Sequence, residues 1–112
     1  MTTAVKICGM TDETSLDAAL ANGADYVGLV FFPKSPRHLD LARAKALRAM
    51  IPINGSCQAV ALVVDPSDEQ LSKIISAVRP DMIQLHGHET VERVAEIRTK
   101  FRKPILKAVP VA

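Results

Sequence analysis

The chain has 112 residues, a formal net charge of +2 and 48% hydrophobic residues, enough for one small domain with a modest core. Near-balanced charge leaves no electrostatic footprint for nucleic acid or an anionic membrane, so neither is expected as a partner. The start, Met1-Thr2-Thr3-Ala4, shows no basic segment followed by an apolar one, and the apolar runs are of strand length. No signal peptide or transmembrane helix is expected, and the cytoplasm is the expected setting. Cys8 and Cys57 are not expected to form a disulfide there.

Ala4 to Cys8 reads as a strand, and Thr11 or Asp12 then opens a helix. Leu16, Ala19, Leu20 and Gly23 fall on one helical face, with Asn22-Gly23 as its stop. Asp25 to Val30 is a second strand; its continuous apolar run suits a parallel sheet buried on both faces. Phe31 to Leu39 is a loop stiffened by Pro33 and Pro36. Asp40 caps a helix whose inner face is Leu41, Ala44 and Leu47. Cys57 to Val64 is a third strand, and Ser67-Asp68-Glu69-Gln70 has capping-box spacing. Leu71, Ile74, Ile75 and Val78 form a helical stripe, and Asp81 to His86 is a fourth strand. Val91, Val94, Ala95 and Phe101 mark a fourth helix, and Pro104 to Val109 a fifth strand. Strand starts recur every ~20 to 35 residues, the size of a βαβ unit.

Such units build either an open doubly wound sheet or an eight-stranded barrel. An open flavodoxin-like sheet is complete with five strands, whereas a barrel runs to about 250 residues. Length favours the open sheet; the polar residues at the strand ends favour the barrel. Alternate strand residues share a face, so Lys6 pairs with Cys8 and Gln84 with His86. In a barrel, polar groups on the last turn of a strand belong at the catalytic mouth. Cys8 is followed by Gly9, which lets the backbone turn, so its thiol sits in a strand–helix mouth. A thiol there can act as base or nucleophile if its pKa is lowered; it can equally be a small buried apolar residue. Arg37, in the Pro33–Pro36 loop, has the planar fork that suits a carboxylate, and by itself reads as an ordinary surface arginine. Cys57 opens a strand at the opposite sheet edge and reads as structural.

Four blocks in order carry a more specific signal. They are Val5-Lys6-Ile7-Cys8-Gly9-Met10-Thr11, Gly23-Ala24-Asp25-Tyr26-Val27-Gly28, Phe31-Phe32-Pro33-Lys34-Ser35-Pro36-Arg37 and Gln84-Leu85-His86-Gly87. Together they resemble the phosphoribosylanthranilate isomerase family of tryptophan biosynthesis. The resemblance implies a (β/α)8 barrel of the TIM type, of which 1–112 would hold about the first four and a half units of a single domain. It implies an Amadori rearrangement of N-(5′-phosphoribosyl)anthranilate, a small sugar phosphate, with no cofactor and no metal. It assigns the general base to Cys8 and the anthranilate carboxylate to Arg37, and puts His86 at the edge of the site. Lys6 and Gln84 complete the substrate-binding candidates, Lys6 also standing where its charge can lower the Cys8 pKa.

The resemblance also places the family's general acid, an aspartate, at the end of strand six. The phosphate site lies after strands seven and eight. Both fall beyond the fifth strand, so activity of 1–112 alone is expected to be weak or absent. The expected partner is the carboxyl-terminal half of the barrel or a second copy of the chain. Asp65 is the nearest substitute acid in sequence, but Asp65-Pro66 reads as a turn into the Ser67 cap. Three other readings stand beside this one. The same barrel could act on another sugar phosphate, against which Cys8 and the Arg37 loop argue. Cys8, His86 and His88 could hold a metal, although Gly87 has the strand already turning there. A non-catalytic open-sheet interaction module would explain the length but not the polar strand ends.

Overall fold

The computed structural model describes residues 6–9, 11–32, 38–52 and 55–107, with residues 6–8 described by their backbone. Five strands alternate with four helices: β1 (Lys6–Cys8), α1 (Glu13–Ala21), β2 (Tyr26–Phe31), α2 (Leu41–Arg48), β3 (Gln58–Val63), α3 (Asp68–Val78), β4 (Met82–Leu85), α4 (Val91–Phe101) and β5 (Ile105–Lys107). The helices begin where polar caps satisfy their first free N–H groups. Asp12 Oδ1 accepts from Ser15 N at 2.7 Å and Asp40 Oδ1 from Arg43 N at 2.7 Å. Ser67 Oγ accepts from Gln70 N at 3.1 Å and Thr90 Oγ1 from Arg93 N at 3.1 Å.

All strands are parallel, in the spatial order β1-β2-β3-β4-β5. A doubly wound sheet reverses its strand order at a switch point, and this sheet does not. The open flavodoxin-like reading is therefore wrong. Right-handed crossovers that always step the same way collect every helix on one face, which is how a barrel is wound. One cluster of buried residues follows from this. Val27, Leu29 and Phe31 of β2, Ala59, Ala61 and Val63 of β3, and Ile83 and Leu85 of β4 meet Leu16, Leu47, Leu71, Ile74 and Ile97 of the helices. The alternate positions Gly28, Val30, Val60, Leu62, Met82 and Gln84 occupy the opposite, concave face.

Two expectations shift. In α4, Val91 is 83% exposed and Ala95 is exposed as well. Ile97 is fully buried instead, flanked by the partly buried Val94 and Phe101. Val91 follows the Thr90 cap directly, so it stands off the sheet on the first turn. In α1, Leu16 and Ala19 are buried while Gly23 lies past the C-cap Asn22. Strand bounds differ by a residue or two: β4 stops at Leu85 and β2 runs on to Phe31. The predicted ends of the first and fifth strands, Ala4-Val5 and Ala108-Val109, lie outside the described residues. Among the described residues no helix is long and apolar enough to cross a membrane.

Candidate active site at the carboxyl edge of the sheet

Parallel α/β sheets present their ligand-binding loops at the carboxyl ends of the strands. Here that edge carries Cys8, Phe31, Val63, Leu85 and Lys107. Position 8 is in register with Gly28, which pairs in turn with Val60, and Val60 with Met82. This row runs along the concave face, away from the helices. After Cys8 the chain turns at Gly9, whose φ of 78° is the left-handed conformation glycine adopts without strain. The Gly9 N–H donates to Gly28 O at 3.0 Å, tying the turn to the neighbouring strand. The Lys6 and Cys8 side chains, and Arg37 with its loop, lie outside the described residues.

One row closer to the mouth, Val30, Leu62, Gln84 and Leu106 are in register. Gln84 is partly buried, and its Oε1 is buried without a hydrogen bond from the described residues. By register Gln84 lies on the concave face, between Leu62 and Leu106. His86 follows the end of β4; its N–H donates to Val63 O at 2.9 Å and its residue surface is exposed. His88 is exposed too, and its N–H donates to Asp65 Oδ1 at 2.8 Å. The chain has left the strand by Gly87, as the glycine suggested. Among the described residues no three His, Cys, Asp or Glu side chains group to hold a metal.

Asp65 is not a free acid. It has a φ of 45° and forms the turn into the Ser67 cap, and its carboxylate is engaged with the His88 N–H. A Cβ placed on Gly87 would stand 2.6 Å from Asp65 Oδ1 and 2.8 Å from Asp65 N. Only glycine lets these two loops approach so closely.

Two residues at this edge are missing from the sequence-based set. The Glu89 side chain is 1% exposed, and Glu89 Oε1 accepts from Lys107 Nζ at 2.7 Å. Glu89 also accepts from Asp65 N at 2.8 Å and from Gly87 N at 3.0 Å, while Lys107 Nζ donates to Gly87 O. Burial pushes the Glu89 carboxyl up, but the Lys107 ammonium and the backbone donors outweigh it and hold it below its ordinary value. The available signal was positional: Lys107 ends β5 on the same edge as His86, and Glu89 follows Gly87 by two residues.

The comparisons with known proteins agree with this geometry. The profile of the N-(5'phosphoribosyl)anthranilate (PRA) isomerase family matches residues 5–111. The chain is 53% identical over 111 residues to the N-(5'-phosphoribosyl)anthranilate isomerase of Nitrobacter winogradskyi, covering 99% of this chain and 48% of that protein. It is 56% identical over 108 residues to the Cereibacter sphaeroides isomerase, covering 96% of this chain and 50% of the relative. Among solved structures, the phosphoribosyl anthranilate isomerase of Thermotoga maritima superposes with a TM-score of 0.89 at 32% identity, over 98% of this chain and 52% of that one. A phosphoribosyl anthranilate isomerase in complex with reduced 1-(o-carboxyphenylamino)-1-deoxyribulose 5-phosphate gives 0.90 at 32% identity, over 99% of this chain and 55% of the other. The chain thus spans about half the length of the relatives it matches, and its sequential sheet is half of their (β/α)8 barrel. It belongs to the N-(5'-phosphoribosyl)anthranilate isomerase family.

Proposed function

We propose that these residues form the amino-terminal part of a single barrel domain that isomerises N-(5'-phosphoribosyl)anthranilate to 1-(o-carboxyphenylamino)-1-deoxyribulose 5-phosphate in tryptophan biosynthesis. The observation that carries this reading is 53–56% identity to such isomerases over nearly the whole chain. The substrate is an aminoaldose. Protonation of its furanose oxygen opens the ring to a Schiff base. Removal of the C2 proton then gives an enolamine, which tautomerises to the ketose.

Cys8 is the base for the C2 proton. Its place at the end of β1, on the concave row of Gly28 and Val60, supports this role. An efficient base titrates near the working pH, and a free thiol at about 8.5 stands slightly high. Lys6 stands two positions back on the same strand and is the candidate source of the charge that would lower it. Arg37 receives the anthranilate carboxylate; Gln84 from β4 and His86 from the loop that follows it line the substrate. The acid that opens the ring and the phosphate site belong to the part of the barrel beyond β5.

In the full-length enzyme, Cys8→Ser leaves the far-ultraviolet circular dichroism unchanged and lowers turnover by a factor of ~10² to 10⁴, the usual share of a general acid–base group. Wild-type turnover in that variant would remove Cys8 from the mechanism.

A further inference from the structure

A loop at a solvent-facing barrel mouth has no need of a buried carboxylate. Taking a charge out of water costs several kcal/mol, and apolar packing often serves stability as well or better. Glu89 nevertheless sits with its side chain 1% exposed in the β4–α4 loop. It is not needed as a helix cap, because Thr90 caps α4.

Its contacts show what it holds. Glu89 accepts the Gly87 N–H, and its partner Lys107 donates to the Gly87 carbonyl, so both polar groups of one glycine are pinned by one ion pair. Glu89 also accepts the Asp65 N–H, and Asp65 accepts the His88 N–H. Gly87 has no space for a Cβ against Asp65. The β3–α3 loop, the β4–α4 loop and the end of β5 are thereby keyed to one another around the peptide that follows His86. On the other side, the His86 N–H is fixed to Val63 O.

We propose that Glu89 and Lys107 are positioning residues: together they hold the His86-Gly87 segment so that His86 meets the substrate at the rim of the mouth. The proposal rests on the reading above, in which His86 contacts the substrate. Glu89 and Lys107 touch no substrate atom themselves; they act through the backbone of Gly87. Glu89→Gln preserves shape but replaces an acceptor oxygen with an amide NH₂ among N–H donors and leaves the Lys107 ammonium without its counter-charge.

The test is steady-state kinetics with phosphoribosylanthranilate on the full-length enzyme, comparing wild type, Glu89→Gln, His86→Ala and the double variant. The expected result is a KM raised about three- to tenfold in Glu89→Gln, the size of one buried hydrogen bond, with kcat within about twofold. That split marks lost substrate binding rather than lost chemistry. In the His86→Ala background the same change has no further effect on KM. A role in folding alone would lower the melting temperature and leave this coupling absent. If Glu89→Gln does not fold, Lys107→Met carries the same cycle, since it leaves the backbone donors to Glu89 in place while the Gly87 carbonyl and the Glu89 carboxylate both lose the ammonium. An unchanged KM, or effects of Glu89 and His86 that multiply independently, would overturn the clamp while wild-type turnover still upheld the substrate reading. A wild-type enzyme that does not turn over phosphoribosylanthranilate would overturn both.

Discussion

A thiol removes a carbon-bound proton only where its anion is accessible at working pH, and Cys57 does not meet that condition. Cys57 immediately precedes β3, at the edge away from the mouth, and is 6% exposed. Burial pushes its thiol up, the Asp25 and Asp81 carboxylates push further, and Arg48 opposes them only in part. A raised thiol pKa leaves little thiolate near neutral pH. Iodoacetamide applied to the native protein near neutral pH should therefore spare Cys57, and peptide mapping should find the label on Cys8. Labelling of Cys57 before unfolding would contradict the assignment of a structural role to it. The same contrast explains why Glu89 was hard to see in the sequence. An isolated glutamate between His88 and Thr90 reads as solvated, and its partner Lys107 lies 18 residues further on. Only the folded sheet brings the two strand ends together.

At the scale of elements, the two edges of the sheet hold different kinds of polar network. At the amino edge, Arg48 of α2 donates to Ile51 O at 3.0 Å and Arg79 O at 3.3 Å and faces Asp81 at 3.6 Å. Asp81 in turn accepts from Ala59 N at 2.8 Å, so this cluster ties α2, the end of α3 and the start of β3. Polar groups at this face of a barrel serve stability. Arg48→Met should cost about 2 kcal/mol in urea unfolding, since it leaves the Ile51 and Arg79 carbonyls without their side-chain donor and removes the cation facing Asp81. In the full-length enzyme it should leave KM and kcat near wild type; a raised KM would show that the two edges are coupled. Much at this scale was legible beforehand. The Asp40 and Ser67 caps, and the Leu71, Ile74 and Val78 stripe of α3, follow from spacing alone and stand in the fold as read. The face of α4 did not, because Val91 and Ala95 are apolar yet exposed, and hydrophobicity without a neighbour list cannot say which side of a short helix meets the sheet. Sheet order was not legible from pattern either: βα repeats of this length suit both a barrel and a doubly wound sheet. The polar strand ends, Cys8 and the pair Gln84 and His86, favour a barrel, and the four-block resemblance makes that reading specific.

At the scale of the whole molecule, a sequential parallel sheet with helices on one side has a concave face that a closed barrel fills with its own side chains. Here Val30, Leu62 and Met82 occupy that face, and Leu106 of the edge strand β5 is 46% exposed. Unpaired edges and apolar faces favour association. Residues 1–112 prepared alone should therefore self-associate in sedimentation, and a monodisperse, cooperatively melting monomer would contradict that expectation. The central claim is that these residues bring the base and the anthranilate contacts while the rest of the barrel brings the acid and the phosphate site. The most direct test follows the loss of phosphoribosylanthranilate fluorescence with residues 1–112 alone, and with them mixed with the carboxyl-terminal half of a related isomerase. Turnover in the mixture only, abolished by Cys8→Ala, is the predicted result. Turnover by residues 1–112 alone, or an equally active mixture carrying Cys8→Ala, would contradict the account.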